Sequence, residues 1–563
     1  GRSQSVGNRR KSNRQNSYGG RPARSRMDRA DVVAMLSSKN LVPAIFFIFS
    51  RMGCDQAVNQ VLRAGVRLTT SEERDEIREI VEARCRTLLD EDLAVLGYWD
   101  WLSGLERGVA AHHAGLLPAF KEVVEELFQK KLVKAVFATE TLALGINMPA
   151  RTVVLEKLEK FNGEARVPIT PGEYTQLTGR AGRRGIDIEG HSVIQWVDGL
   201  DPQAVASLAS RRTYPLNSSF KPTYNMAVNL IELFGREHTR EILESSFAQF
   251  QADRAVVDLA RKVRSQKNSL DGYAKSMECH LGDFAEYSRI RRELNDLEKK
   301  PQPRGDAGHR GERERRQRKL GALRNQMRKH DCHACPERES HARWAERWWR
   351  LKRETDQLSR QIQNRTGAVA KIFDRVTDVL TQLEYIEPGK NGEMTLNAHG
   401  RILRRIYGER DLLVAESLRQ GFWNDLDAAS LAAMATTLVY EPRRDEGDLG
   451  DRYLPRGPFR EAFDKTTTLW AQLDDLERDN RLPGSQPLAA GLALSMYRWA
   501  NGSNLDSVLD LAEMAAGDFV RVTKQTIDLL DQLSVVADGD VGRTARKALD
   551  GIRRGIVAYS SVA

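Results

Sequence analysis

Lys134-Ala-Val-Phe-Ala-Thr139-Glu-Thr141-Leu-Ala-Leu-Gly145-Ile-Asn147-Met-Pro149-Ala-Arg-Thr-Val-Val154 is the stretch that decides how this chain is read. Val133 to Ala138 is a short apolar run bounded by polar residues, the pattern of a buried strand. It ends in a polar loop that contains Gly145. In an open α/β sheet the loops after the strands are where ligands bind.

A second stretch follows, Glu173-Tyr-Thr-Gln176-Leu-Thr-Gly179-Arg180-Ala-Gly182-Arg183-Arg184-Gly185. Glycines alternate with arginines. Glycine lets the backbone approach a ligand, and the planar guanidinium suits phosphate oxygens. A lone Gly-Arg cluster is weak evidence, since a solvated basic turn has the same composition. Together, in this order and spacing, the two stretches resemble motifs V and VI of superfamily 2 helicases. The wording TETLALGINMPARTVV followed by QLTGRAGRRG is similar to the superkiller-type (Ski-like) DExH branch, which includes the exosome-associated RNA helicases, and within it to the actinobacterial HelY type.

Outward from these motifs, composition agrees. A chain of 563 residues predicts about three to five domains. Charged residues make up 29% and the net charge is +9, which leans towards a polyanion without choosing between RNA and DNA. The five cysteines are an odd, sparse set, which argues against a disulfide framework and for a reducing, cytoplasmic setting. No apolar run approaches a membrane span and no secretory signal is visible, so no membrane partner is expected.

Residues 1–27 are rich in Arg, Ser, Asn and Gly and read as a flexible basic linker. Residues 28–200 read as an α/β domain. Leu41 to Ser50 is a strand and polar turn resembling motif IV, and Val109-Ala-Ala-His112-His113-Ala-Gly115-Leu precedes a helix at Pro118 to Gln129. The resemblance implies the second RecA-like domain of a helicase. Mainly α domains follow: a winged helix at 201–265 continued at 367–395, a coiled-coil stalk insertion at 266–366, and a DSHCT helical bundle at 396–563. In the stalk, Ile290, Leu294 and Leu297 have helical spacing, as do Trp344, Trp348 and Leu351, so the two arms are expected to pair. At its turn lie Cys332-His333-Ala-Cys335 and His330, with Cys279-His280 on the other arm. Cys332, Cys335 and Cys279 are the metal candidates, but one CxxC is a partial signal and a metal-free turn is the expectation.

The resemblance assigns roles. Arg180 and Arg183 would be the finger residues that stabilise charge on the γ-phosphate of ATP, and Gln176 would orient the phosphate or attacking water. Gly145, Asn147, Gly179 and Gly182 would shape the ATP side. Thr139, Thr141, His113 and Gly115 would face the nucleic-acid backbone. A helix of the bundle would lie along the strand as a ratchet, with Arg521 as its contact and Asp518 and Lys524 beside it. Neither GxxxxGK[ST] nor DExH occurs in the 563 residues, so the phosphate cradle and the Mg²⁺-binding acid are expected in a domain outside them. The expected function is that of the C-terminal part of an ATP-dependent helicase translocating 3′ to 5′ on single-stranded RNA or DNA, working with a nuclease or RNA-decay complex. The chain alone is expected to hydrolyse ATP negligibly. A non-catalytic nucleic-acid-binding or adaptor module is the alternative.

Overall fold

The computed structural model describes residues 27–143, 146–162, 164–210, 218–300, 310–365, 367–442, 453–537 and 539–561. Chain contacts divide it into two compact units. One comprises residues up to 215 with 416–471 and 486 onwards; the other comprises 216–415 with 472–485.

The first unit is built on a parallel sheet. Its strands are β1 (Ala44–Phe47), β2 (Val109–His112), β3 (Ala135–Ala138), β4 (Thr152–Leu155) and, after a small antiparallel pair β5 (Glu159–Phe161) and β6 (Arg166–Pro168), β7 (His191–Ile194). The order is β2-β3-β1-β4-β7, and each neighbouring pair is parallel. Ala-Ile-Phe-Phe, Ala-Val-Phe-Ala and Thr-Val-Val-Leu are buried at every position, as strands covered on both faces must be. Phe46 and Phe137 meet across β1 and β3 with ring centroids 4.7 Å apart. One face is covered by helices Arg29–Ser38 and Arg51–Arg63, through Val33, Leu36, Cys54, Ala57 and Val61.

Local sequence explains the helix starts. Thr70 and Glu73 form a reciprocal capping box ahead of Ser71–Cys85, and Thr170 and Glu173 do so ahead of Pro171–Thr178. Pro118 opens Pro118–Gln129, where its missing N–H is no loss.

The same unit contains the C-terminal helices. Ala428–Val439 is buried at every position from Ala429 to Leu438, which makes it the centre of the bundle. Helices Ala493–Ala500, Ala516–Val536 and Asp540–Ile552 pack on it. Two buried indoles find partners there: Trp423 Nε1 donates to Thr466 Oγ1 at 3.1 Å and Trp499 Nε1 to the Ile552 carbonyl at 3.0 Å.

In the second unit, Tyr224–Glu244 packs on Ala368–Gln382, and the hairpin β8 (Ile386–Pro388) and β9 (Met394–Leu396) follows. Two long helices, Phe247–Ser276 and Arg338–Arg365, run together, and a second pair, Phe284–Lys299 and Arg310–Lys329, packs beyond them. This corrects part of the expected arm pairing. Ile290 and Leu294 pack on Leu320 and Leu323. Trp344 and Trp348 pack around Met277, Phe284 and Tyr287, and Trp349 Nε1 donates to Ser288 Oγ at 3.0 Å, so the expected pairing of the two arms holds at the start of helix Phe284–Lys299 but not at Ile290 and Leu294. The Arg-rich segment is thus itself an arm. Among the described residues no helix is long and apolar enough to cross a membrane.

Candidate functional site

The carboxyl ends of β2 and β3 lie side by side, so the loops that leave them share one edge of the sheet. After β3 the chain turns through a 3-10 helix, Glu140–Ala143. The Thr139 amide donates to the His112 carbonyl at 3.3 Å, and the Thr139 and Thr141 hydroxyls are 2.9 Å apart. Thr141 and Asn147 are exposed, whereas Leu142, Ala143 and Met148 are buried and anchor the loop. Gly145 lies outside the described residues.

The second motif is stitched to the first by backbone. Ala150 N–H donates to the Arg180 carbonyl and Gly182 N–H to the Ala150 carbonyl, both at 2.8 Å, an isolated parallel bridge at Ala150 and Ala181. Gly182 has φ +90°, and a Cβ on the facing Gly190 would sit 2.5 Å from the Ala181 carbonyl. Both positions therefore require glycine. The Arg180 guanidinium donates through Nη1 to the Ile146 carbonyl and through Nη2 to the Ala143 carbonyl. Arg180 thereby holds the motif V loop closed from below.

Arg183 is held differently. Its Nε and Nη2 make a fork on the Asp187 carboxylate, both at 2.8 Å, and its amide donates to Asp187 Oδ2 at 2.9 Å. Asp187 is 4% exposed. The Arg183 hydrogen bond, aided by its charge and by Arg151, outweighs burial and holds the Asp187 carboxyl down at about 2. Arg183 Nη1 has no hydrogen-bond partner among the described residues. Gln176 is exposed on the helix that ends at Gly179, and Arg184 is exposed just beyond it. Lys160 braces the assembly from β5, with ion pairs to Glu140 and Glu173. Burial alone would lower its pKa, but the two carboxylates together raise it.

The other loop, after β2, meets the C-terminal bundle. The residue after Ala516 in helix Ala516–Val536 is Gly517, and a Cβ there would fall 2.5 Å from the Gly115 carbonyl oxygen and closer still to that of Leu116. The histidines of this loop are structural. His112 Nε2 lies 2.8 Å from Glu125, and His113 Nε2 lies 2.9 Å from Asp55 while its Nδ1 accepts from the Gly115 amide. His113 is buried at 5% exposure, so its ring shapes the loop rather than offering itself to a strand.

Asp518, on the first turn of that helix, accepts from Arg51 Nη1 at 2.7 and 2.8 Å and from Arg521 at 3.4 Å. Lys121 lies in the same field. Its pKa is lowered by burial, and by Lys524 and Arg51 against the opposing pull of Glu125. Arg51 and Arg521 thus flank Asp518, and Lys121 and Lys524 lie in the same field with Glu125 and Glu122, a mixed but basic group of a kind that can meet a phosphate backbone. Arg51, Lys121, Lys160, Asp187 and Gly190 escaped the sequence reading. Only Arg51, directly after the strand and turn at Leu41–Ser50, carried a positional signal.

The structure therefore assembles two linked groups. Thr139, Thr141, Asn147, Gly179, Arg180, Gly182 and Arg183 surround the β3 loop. His113, Gly115 and Arg521 gather at the β2 loop. The metal candidates Cys279, Cys332 and Cys335 lie in the other compact unit.

Comparison with known proteins agrees with this geometry. Residues 60–185 match the helicase conserved C-terminal domain, and residues 392–560 match the DSHCT (NUC185) domain. The probable helicase HelY of Mycobacterium tuberculosis (strain ATCC 25618 / H37Rv) is 40% identical over 648 residues, covering 95% of this chain and 71% of that protein. The probable helicase HelY of Mycobacterium leprae (strain TN) is 39% identical over 658 residues, with the same coverage. The human exosome RNA helicase MTR4 is 38% identical over 268 residues, 48% of this chain and 25% of that protein. With the helicase motifs joined through Arg180 and this similarity running along nearly its whole length, the chain belongs to the HelY-type helicases.

Proposed function

We propose that this chain is the strand-gripping, arginine-finger half of an ATP-dependent helicase that moves 3′ to 5′ on single strands, with RNA preferred over DNA. The observation that carries this reading is the double hydrogen bond of Arg180 to the Ala143 and Ile146 carbonyls. It ties the arginine segment to the loop that would face nucleic acid, as a motor needs if nucleotide state is to alter strand contact.

The donor set fits an ATP γ-phosphate. Arg183 keeps Nη1 unpaired while Asp187 fixes the other two nitrogens, so the guanidinium is oriented before any phosphate arrives. ATP with Mg²⁺ would supply the phosphoryl group, and the phosphate cradle would come from outside these residues. On the strand side, Thr139, Thr141 and the basic group of Arg51, Lys121, Arg521 and Lys524 would bear on successive phosphates. We read 201–265 with 367–395 as a winged helix that braces the motor, 266–366 as the stalk, and 396–563 as the DSHCT bundle. An RNA-decay nuclease is the partner class consistent with kinship to an exosome helicase.

The test is ATP hydrolysis by these 563 residues with and without single-stranded RNA, alongside strand binding and Arg183→Ala. Strand binding without turnover is expected, with RNA competing better than DNA of equal length. Turnover that Arg183→Ala abolishes would place a whole ATP site in this chain and overturn the division of labour proposed here.

A further inference from the structure

The two helix pairs of the second unit meet at two turns, residues 277–283 and 330–337. Far apart in sequence, these turns are in contact: a Cβ on Gly282 would lie 3.5 Å from Cys332 Sγ and 3.5 Å from Asp331 Cβ. The junction is where three of the five cysteines converge. Cys332 is fully buried and Cys335 is 5% exposed. One ligand atom each of Cys279, His280 and Cys335 lies within 4.8 Å of the others. Cys332 Sγ faces the same turn, as its closeness to Gly282 shows. All three are free thiols.

The backbone around the sulfurs is arranged as for a ligand turn. The Gly282 amide donates to the Cys279 carbonyl at 3.4 Å and the Cys335 amide to the Cys332 carbonyl at 3.3 Å, so both cysteine segments sit on closed turns. The neighbouring histidines divide. His330 caps the turn by accepting from the Cys332 amide at 3.2 Å, and His333 Nδ1 lies 3.0 Å from the Tyr287 hydroxyl. His341 Nδ1 stands 3.9 Å from Cys335 Sγ and its Nε2 faces Glu337. His280 alone has no hydrogen-bond partner among the described residues, and its ring lies with the sulfurs.

We propose that Cys279, Cys332, Cys335 and His280 hold one Zn²⁺, a tetrahedral Cys₃His centre that pins the outer helix pair of the stalk to the inner one. Three soft sulfurs and an imidazole select zinc over harder cations, and four protein ligands leave no open position, so the centre is structural. The sequence alone favoured a metal-free turn because it shows a single CxxC. The fold supplies the missing half by bringing Cys279-His280 against it. Phe284, Tyr287, Met277 and Ala345 pack with Cys332 on the inner side of the junction, Cys279 is half-buried against them, and His280 stands exposed at the outer rim.

The experiment is metal analysis of the whole 563-residue chain, purified under reductant with neither chelator nor added metal. About one zinc per chain is expected for a closed four-ligand site. Cys279→Ser, Cys335→Ser and His280→Ala should each lower it, the cysteine changes to about a tenth or less. Cobalt(II) is the second probe. Added to acid-stripped wild-type chain, it should give the visible absorption of a tetrahedral thiolate site, and this decides the matter if the variants fail to fold. Wild type that neither carries zinc nor develops the cobalt spectrum overturns the proposal. So does zinc that survives all three substitutions, or a thiol titration in which two of the five cysteines are lost to a disulfide.

Discussion

Asp187→Asn is the substitution that most directly interrogates the arginine segment. The native carboxylate holds Arg183 through three hydrogen bonds and is itself almost fully buried. Its pKa falls from 3.8 to about 2. At 1.36 kcal/mol per unit this shift corresponds to about 2.4 kcal/mol of stabilisation at neutral pH. The sign follows from the direction. A depressed carboxyl contributes fully above its unfolded pKa and loses that contribution as pH falls from about 4 towards 2. Asn keeps the shape but not the charge, and it leaves the guanidinium without its counter-ion. The chain has two compact units, so a single unfolding midpoint would blur a local effect. Hydrogen exchange at the Arg183 amide is the sharper assay, because that N–H donates to Asp187 itself. A loss of about 2.4 kcal/mol should speed its exchange about 60-fold at pH 7. The gap between wild type and variant should close as the wild type is taken towards pH 2. Unchanged exchange at neutral pH, or a gap that does not close in acid, would refute the reasoning that the fork is formed and charged.

Gly517→Ala forces a methyl into the Gly115 and Leu116 carbonyls and should cost about 1–3 kcal/mol, read as a lower denaturant midpoint of the first unit. Gly272→Ala, in a helix with open space around it, should instead stabilise the second unit by about 0.5–1 kcal/mol in the same measurement. Arg180→Lys keeps the charge but cannot span the Ala143 and Ile146 carbonyls. In a protein that also carries the phosphate cradle, strand-stimulated turnover should fall at least about 10-fold while strand affinity is retained. In the second unit, burial and then the nearby Asp474 and Asp411 carboxylates push Glu477 up to about 7, and burial pushes Asp411 up to about 6. Raised acids stabilise the fold below their unfolded pKa and lose that as pH rises. The unit should therefore weaken between about pH 4 and 7, by about 3 kcal/mol from the buried Asp411 and by a smaller amount from the partly exposed Glu477, and Glu477→Gln should make thermal unfolding less steep in pH across that window.

What could be read in the sequence follows a physical rule. The strand at 133–138, the loop after it and the capped helix ahead of Gly179 are local: each is set by residues within a few positions of itself. Arg180 and Arg183 were legible as arginines of a glycine-rich turn, but their partners were not. Asp187 reaches Arg183 only because the chain reverses through Gly185, at φ +76°, and nothing in Gly-Ile-Asp announces that. Arg51 and Asp518 are 467 positions apart. Likewise Ile290 and Leu294 offer an apolar stripe that any helix could meet. The segment that meets them, 310–329, has so many arginines that Leu320 and Leu323 form no apolar stripe in its sequence.

The same distinction bears on how the two arginines are held. Arginine fingers drawn from the sequence alone would be long, free side chains, each losing rotamer entropy when it engaged phosphate. Here that entropy has already been lost on folding. Arg180 is held by two carbonyls of the loop after β3 and Arg183 by a buried carboxylate, with one nitrogen left over. A free cation would attract phosphate more strongly in the open state but would carry no information to the loop. A cation fixed to the loop's own carbonyls couples the two. Any shift of the arginine segment must either carry Ala143 and Ile146 with it or break two charge-assisted hydrogen bonds, each contributing about 1.5–3 kcal/mol. The Thr139 amide bound to the His112 carbonyl extends that link to the β2 loop, whose Gly115 and Leu116 carbonyls rest against Gly517. The chain of contact from Arg183 to the C-terminal helix is therefore mostly main chain, which is why Gly182, Gly190 and Gly517 have no room for a side chain.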